Sequence, residues 1–275
     1  MTAVYEGRTF RYPSKSLVGR YVASGQGWDR VLVPILEGVL PGAEPTIVEV
    51  GSNIGASLLQ MQLAKPGARF YCFEPSPRFS PVLRANVDAN KWSNVVVETL
   101  AIGEETGERA LWSNRTTASL VAAEYDSHEF VGEATVQMCT LDDYAERNHV
   151  RVDFLKSDTD GFELSVLRGA RGVLSRDRPA LFVEFEPSML VLTGGSGREL
   201  LDELWDAGYR DVLVLSNVGR ALGVVGSVDA VLEHAERESY LDLLAVHRDD
   251  PAVAELPRLA QRIGSRFSID PGPPP

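Results

Sequence analysis

The chain has 275 residues, 44% of them hydrophobic and 24% charged, the balance of an ordinary α/β protein. Its formal net charge is −12 and no run of Lys or Arg interrupts that acidity, which argues against a nucleic-acid partner. No apolar stretch approaches the ~20 residues of a membrane helix, and the first residues lack a charged region followed by an apolar core, so a cytoplasmic protein with no membrane partner is expected. Cys72 and Cys139 both fall in predicted strands and read as reduced core residues.

Residues 1–45 precede the first strongly patterned strand. Tyr5-Glu6-Gly7-Arg8-Thr9-Phe10 predicts a small hairpin or extended arm, and Gly25-Gln26-Gly27-Trp28-Asp29 a loop. Val31, Leu32, Ile35, Leu36 and Val39 then share one side of a helix that closes at Pro41-Gly42. Such an entry segment either covers a pocket or packs on a sheet edge.

The stretch 46–55 organises the rest of the chain. Ile47, Val48 and Val50 are the β-branched run of a strand buried on both faces of a parallel sheet. The chain turns at Gly51, and Ile54, Leu58, Met61 and Leu63 set out a helix. A glycine turn brings backbone N–H groups close to a ligand, and a helix N-terminus favours negative charge. Glu49 complicates a phosphate reading, because an acid there repels phosphate but accepts from an ammonium group. The spacing is also Gly-x-x-x-Gly, not the Gly-x-Gly-x-x-Gly of dinucleotide-binding turns.

The next strand, Arg69 to Phe73, ends in Glu74-Pro75-Ser76-Pro77. A carboxylate there, about 20 residues beyond the glycine turn, is placed to accept both hydroxyls of a ribose; the alternative is a solvated loop acid. An acid on each strand, one glycine turn and no base to meet a pyrophosphate fit a cofactor with an adenosine and a zwitterionic tail. S-adenosylmethionine is that cofactor.

Downstream, Pro81 to Asn90 predicts a helix and Val95 to Leu100 a third strand, with Ala101 and Ile102 where an adenine ring would lie. Residues 104–136 read as irregular and polar, a hairpin or lid carrying Trp112, Ser113, Asn114, Arg115, His128 and Phe130. Val136 to Cys139 is a short strand, and Thr140 starts a helix. Val152 to Asp158 is a fourth strand ending in acids, and Asp160-Gly161 turns the chain. Phe162, Val166, Leu167, Ala170, Val173 and Leu174 then repeat at the spacing of one helix. Ala180 to Glu186 is a fifth strand, and Ser196-Gly197-Arg198-Glu199 has capping-box spacing. Val212 to Leu215 and Leu241 to Val246 are the last strands, separated by a small hairpin and a helix. The Pro-rich end, 270–275, is expected to be disordered.

This alternation implies a doubly wound, mostly parallel sheet whose ligand sits at the carboxyl ends of the strands. Glu49 to Gly55, Glu74, Ala101, Ile102, Asp158 and Glu184 all fall at that edge. The expected organisation is an arm and helix over 1–45 covering the sheet edge, a cofactor-binding domain over 46–250, and a C-terminal helix and tail over 251–275.

Together, Val48 to Gly55, Phe73-Glu74-Pro75-Ser76-Pro77 with Asn86 and Asn90, and Leu155-Lys156-Ser157-Asp158-Thr159-Asp160-Gly161-Phe162-Glu163 with Val166-Leu167-Arg168-Gly169-Ala170 resemble the FkbM family of S-adenosylmethionine-dependent methyltransferases. The resemblance covers roughly 10–250. It implies the class I methyltransferase fold, Rossmann-like, with seven strands and an antiparallel last one, and usually O-methylation of natural products or sugars. Carried over, Glu49, Gly51, Ser52, Asn53 and Gly55 would hold the methionine part of the cofactor, Glu74 with Pro75 and Ser76 the ribose, and Ala101 and Ile102 the adenine. The family commonly has Asp at Glu49, Ala at Ser52, Ile at Ser157 and Val-Glu at Thr159-Asp160. The first and last of these departures keep a carboxylate, whereas Ser157 puts a hydroxyl on a strand expected to be buried.

Methyl transfer from a sulfonium is an in-line displacement that needs alignment and, for a hydroxyl acceptor, a proton acceptor. Asp158, Asp160 and Glu184 are the candidates at the carboxyl edge, with His128 from the irregular region. Asp158 is the first choice, to orient the acceptor or accept from the cofactor's amino group; otherwise it caps the following helix. Glu184 is either a base or a salt-bridge partner. Asp158 and Asp160 lack a clear third ligand, so no metal is expected. The expected partner is a small-molecule acceptor, with a homodimer left open. An N-methyltransferase, a nicotinamide-dependent oxidoreductase on the same architecture and a non-catalytic cofactor-binding module are the alternatives.

Overall fold

The structure is a computed structural model describing residues 1–113, 118–120 and 132–267; Asn114, Arg115, His128, Phe130 and the 270–275 tail lie outside those residues. In chain order the strands are β1 (Thr2–Tyr5), β2 (Arg8–Arg11), β3 (Thr46–Val50), β4 (Arg69–Phe73), β5 (Val95–Glu98), β6 (Ala101–Ile102), β7 (Gly107–Ser113), β8 (Ala118–Ser119), β9 (Gly132–Cys139), β10 (Phe154–Ser157), β11 (Ala180–Phe185), β12 (Asp211–Ser216), β13 (Ala221–Val225) and β14 (Leu241–Val246). The helices are α1 (Leu17–Ala23), α2 (Leu32–Val39), α3 (Ala56–Ala64), α4 (Ser80–Asn90), α5 (Leu141–Arg147), α6 (Glu163–Arg168), α7 (Arg171–Asp177), α8 (Pro187–Leu192), α9 (Gly197–Asp206), α10 (Val228–Arg237) and α11 (Leu256–Arg266).

Eight described strands form the main sheet in the order β13-β12-β14-β11-β10-β3-β4-β5. Strands β5, β4, β3, β10 and β11 run parallel, and β14 runs antiparallel to β11. This is the class I methyltransferase arrangement, with its antiparallel last strand inserted beside the fifth parallel one. The strand count differs from the expected seven, because β13 folds back on β12 and adds an antiparallel edge strand. The short parallel strands are apolar because both faces are covered. One face packs Val48, Leu155, Leu181 and Val183 under α5, α6, α7, α9 and α10. The other packs Ile47, Phe70, Phe154 and Phe182 under α2, α3, α4 and α11.

Three segments depart from expectation. The third strand ends at Glu98, and Ala101–Ile102 leaves to pair with β9 in a separate sheet of order β6-β9-β7-β8. Part of the stretch expected to be irregular is therefore regular. The single helix expected after Gly161 is two helices. Gly169 lies between them, and a Cβ there would sit 1.9 Å from the carbonyl oxygen of Gly103. Asp142 restarts the helix by accepting from the N–H groups of Gly172 and Val173 at 2.8 and 2.7 Å.

The N-terminal hairpin is fastened to α4 in an unusual way. Asn90 accepts from Thr9 N at 2.9 Å and donates to Thr9 O at 2.7 Å. Asn86 accepts from Arg11 N at 2.6 Å and donates to Arg11 O at 3.0 Å. Side chains four apart on a helix thus match backbone groups two apart on a strand, both repeats being about 6–7 Å.

Candidate active site

The strand order reverses between β3 and β10 and leaves a crevice at the carboxyl edge, the usual ligand position in a doubly wound sheet. Gly51 turns the chain there at φ +86°, and a Cβ would lie 1.7 Å from the carbonyl oxygen of Asp158. Only glycine fits, so the turn after β3 and the loop after β10 touch through backbone. The N–H groups of Gly51 and Ser52 both donate to Phe73 O, at 3.0 and 3.1 Å, and that of Gly55 donates to Ser52 O at 2.8 Å. Asn53 N donates to Glu74 Oε2 at 2.7 Å. These N–H groups serve the fold, and the turn has none of them to spare for a phosphate.

Glu74 also accepts from Ser76 N, at 2.8 Å through Oε1. Burial pushes its carboxyl up to about 7, against the pull of those two N–H groups. Each carboxylate oxygen accepts more than one hydrogen bond, so Glu74 can fix the turn and still face the crevice. Glu49 is fully buried. Its carboxylate accepts from Ser57 Oγ at 2.5 Å and faces the Cys72 thiol at 3.7 Å.

A row of acids crosses the sheet edge. Ser157 stands opposite Val183 in the β10–β11 register, so the next residues along, Asp158 and Glu184, are neighbours. Glu184 in turn stands opposite Asp242 of β14. Lys156, 1% exposed, lies one step back and offers Nζ to Asp158 Oδ2 at 2.7 Å and to Asp29 Oδ2 at 3.5 Å. Burial opposes its charge, but Asp158, Asp29 and Glu49 outweigh that and raise its pKa. Glu184 accepts from Asp160 N at 3.1 Å and from the Tyr240 side chain. Glu163 Oε1 accepts from both the N–H and the hydroxyl of Thr159, each at 2.7 Å. Two buried carboxylates thereby pin the 158–161 loop, as Glu74 pins the 51–55 turn.

Burial and the nearby acids push Asp160 up to about 8, and Glu184 and Asp242 well above the carboxylate range. Asp29, from the loop before α2, is pushed up to about 6, by burial first and against Lys156.

The crevice encloses about 870 Å³, the range of a small-molecule site. Gly51, Ser52, Asn53, Glu74, Pro75, Ala101, Ile102, Asp158, Asp160 and Glu184 line it. Glu49, Gly55 and Ser76 stand behind the wall: Gly55 caps α3 at φ +86°, and the Ser76 hydroxyl accepts from Arg78 N at 3.2 Å. Leu100, Leu111 and Phe162 make the wall beside Ala101 and Ile102 apolar. Tyr21, Gln26, Trp28, Asp29, Tyr240 and Asp242 line the crevice too. An acid inside the apolar run Leu241–Val246 was a readable signal for Asp242. Asp29 and Gln26 give none, because packing alone brings their loop to the crevice.

Residues 49–210 match the methyltransferase FkbM domain. The chain belongs to the FkbM methyltransferase family. Two relatives of this FkbM-family chain are the 2-O-methyltransferase NoeI of Sinorhizobium fredii and methyltransferase 1 of Beauveria bassiana. The first is 25% identical over 54% of this chain and 65% of its own length. The second is 28% identical over 45% of this chain and 57% of its own. The chain thus matches less than two thirds of either relative. A crystal structure of a methyltransferase FkbM from Methylobacillus flagellatus aligns with a TM-score of 0.49 at 18% identity, over 83% of this chain and 52% of that one.

Proposed function

We propose that this protein is an S-adenosylmethionine-dependent methyltransferase acting on a hydroxyl of a small molecule, a natural product or a sugar. The observation that carries the reading is the pairing of an N–H-committed glycine turn with a carboxylate-lined crevice. Such a site has no cradle for a pyrophosphate, which counts against a nicotinamide dinucleotide, and it suits a cationic nucleoside. Fixed carboxylates favour a sulfonium without having to reorganise around it. When bound, S-adenosylmethionine supplies a methyl group on a positively charged sulfur.

In this reading Glu74 accepts from the ribose hydroxyls with its remaining lone pairs, and Leu100, Ala101, Ile102 and Phe162 flank the adenine. Gly51, Ser52 and Asn53 border the methionine part. Glu49 acts from behind, holding the start of α3 through Ser57. Asp158, fixed by Lys156, accepts from the cofactor's amino group, while Glu184 and Asp160 keep the loop beneath the acceptor in shape. The name of the NoeI relative supports an oxygen acceptor.

Calorimetry tests the cofactor. S-adenosylmethionine and S-adenosylhomocysteine are expected to bind with micromolar Kd, and NAD not at all. Binding of NAD in place of both nucleosides would overturn the reading.

A further inference from the structure

Asp29 lies outside the 49–210 family match, and its place in the crevice is unexplained by the residues that hold the fold. It sits at φ +51°, a left-handed conformation that Asp tolerates better than most residues. Its Oδ2 is fully buried and, among the described residues, meets no donor closer than the long ion pair with Lys156. Lys156 Nζ is 3.5 Å away but makes its close contact, 2.7 Å, with Asp158. A buried acceptor so poorly met is costly and calls for a reason, such as a ligand that supplies the missing donor. Gln26, three residues earlier and also lining the crevice, has a buried side-chain oxygen that accepts no hydrogen bond among the described residues.

Three of the other carboxylates that line the crevice are committed. Asp158 is neutralised by Lys156, Glu184 accepts from Asp160 N and Tyr240, and Glu74 from Asn53 N and Ser76 N. Accordingly, and resting on the function proposed above, we propose that Asp29 is the catalytic base that receives the acceptor's hydroxyl proton, with Gln26 binding the acceptor beside it. The acceptor oxygen bonds to the methyl carbon, the carbon–sulfur bond breaks with its electron pair left on sulfur, and the proton goes to the partly exposed Asp29 carboxylate and then to water. The groups that face Asp29 suit this role: Lys156 from β10 and Asp158 just after it, Glu49 from β3, Asp242 from β14 and Tyr240 just before it. Lys156 keeps Asp29 ionised, while burial and the acids keep it basic near neutral pH, where a general base is most effective.

The test compares wild type with Asp29→Asn, Asp29→Gly and Gln26→Ala, using methyl glycosides as hydroxyl acceptors and S-adenosylhomocysteine release as the readout. Asp29→Asn should lower kcat about 10²–10⁴-fold, remove its acidic limb and leave S-adenosylhomocysteine affinity within about threefold. Glycine suits φ +51°, so Asp29→Gly should fold and regain activity with added formate. Gln26→Ala should raise KM with kcat largely kept. Apart from activity, the unliganded Asp29→Asn protein should be more heat-stable than wild type at pH 8, with the gap closing toward pH 5, because it loses a charge that burial disfavours. Unchanged kcat, or a kcat loss with neither formate rescue nor the pH-dependent gain in stability, overturns the assignment. If wild type binds neither nucleoside, the cofactor reading fails and Asp29 falls with it.

Discussion

At the scale of single residues, the fold places polar groups where apolar ones would be more stable. Ser157 is fully buried on β10, and its hydroxyl has no partner among the described residues. It lies between Val50 and Val183 in the sheet register, in the middle of an apolar layer. Removing an unsatisfied hydroxyl without opening a large cavity should stabilise the chain, so Ser157→Ala is expected to add about 1 kcal/mol. Urea titration reads this as a higher midpoint at unchanged slope. A lower midpoint would mean that the hydroxyl finds a partner in solution, such as a buried water. Glu74 is the opposite case: both of its oxygens are used by backbone, so any replacement there loosens the 51–55 turn as well as the crevice wall.

At the scale of elements, the clamp between α4 and β2 makes its own prediction. Each amide–backbone bond nets about 1 kcal/mol, so the double variant Asn86→Ala with Asn90→Ala should cost several kcal/mol. Its hydrogen-exchange signature should be local, with the Thr9 and Arg11 amides losing protection first. Unchanged protection there would assign the hold to Tyr5, Phe10 and Tyr12, which are buried with Ile54 and Phe79. Much of the fold was readable at this scale. Thr46–Val50, Arg69–Phe73 and Ala180–Phe185 announce themselves because burial on both faces demands continuous apolar runs. Strand β7 does not: Gly107, Glu108 and Arg109 are exposed, so no alternation marks it. The break at Gly169 was hidden because its cause is a backbone 66 positions earlier in the chain, at Gly103. The site divides in the same way. Glu74, Asp158 and Glu184 were legible as acids ending or interrupting apolar runs. Asp29 was not, since only tertiary packing sets it against Lys156.

At the scale of the whole molecule, one cluster of acids stands out because it sits where water is scarce. Asp29, Glu74 and Asp160 titrate near 6, 7 and 8 in the folded chain, against 3.8 for Asp and 4.5 for Glu in the unfolded one. Between those values the folded state binds more protons than the unfolded state, so stability falls as pH rises. The contribution is complete below about pH 4 and lost by about pH 8–9. The unliganded protein should therefore melt at a higher temperature at pH 5.5 than at pH 8.5, by calorimetry in matched salt. A melting temperature that climbs over that interval would show these carboxylates to be ionised and paired throughout. The same carboxylate row gives the catalytic cycle a direction. In the proposed reaction the guest arrives carrying a positive sulfur and leaves as a neutral thioether, and the proton received by Asp29 passes on to water. The attraction that loads the crevice thus vanishes with the transferred methyl group, and the spent nucleoside is held less tightly than the fresh one. Discharge is coupled to the chemistry itself, with no moving part, and raising the salt concentration should narrow the difference between the two affinities.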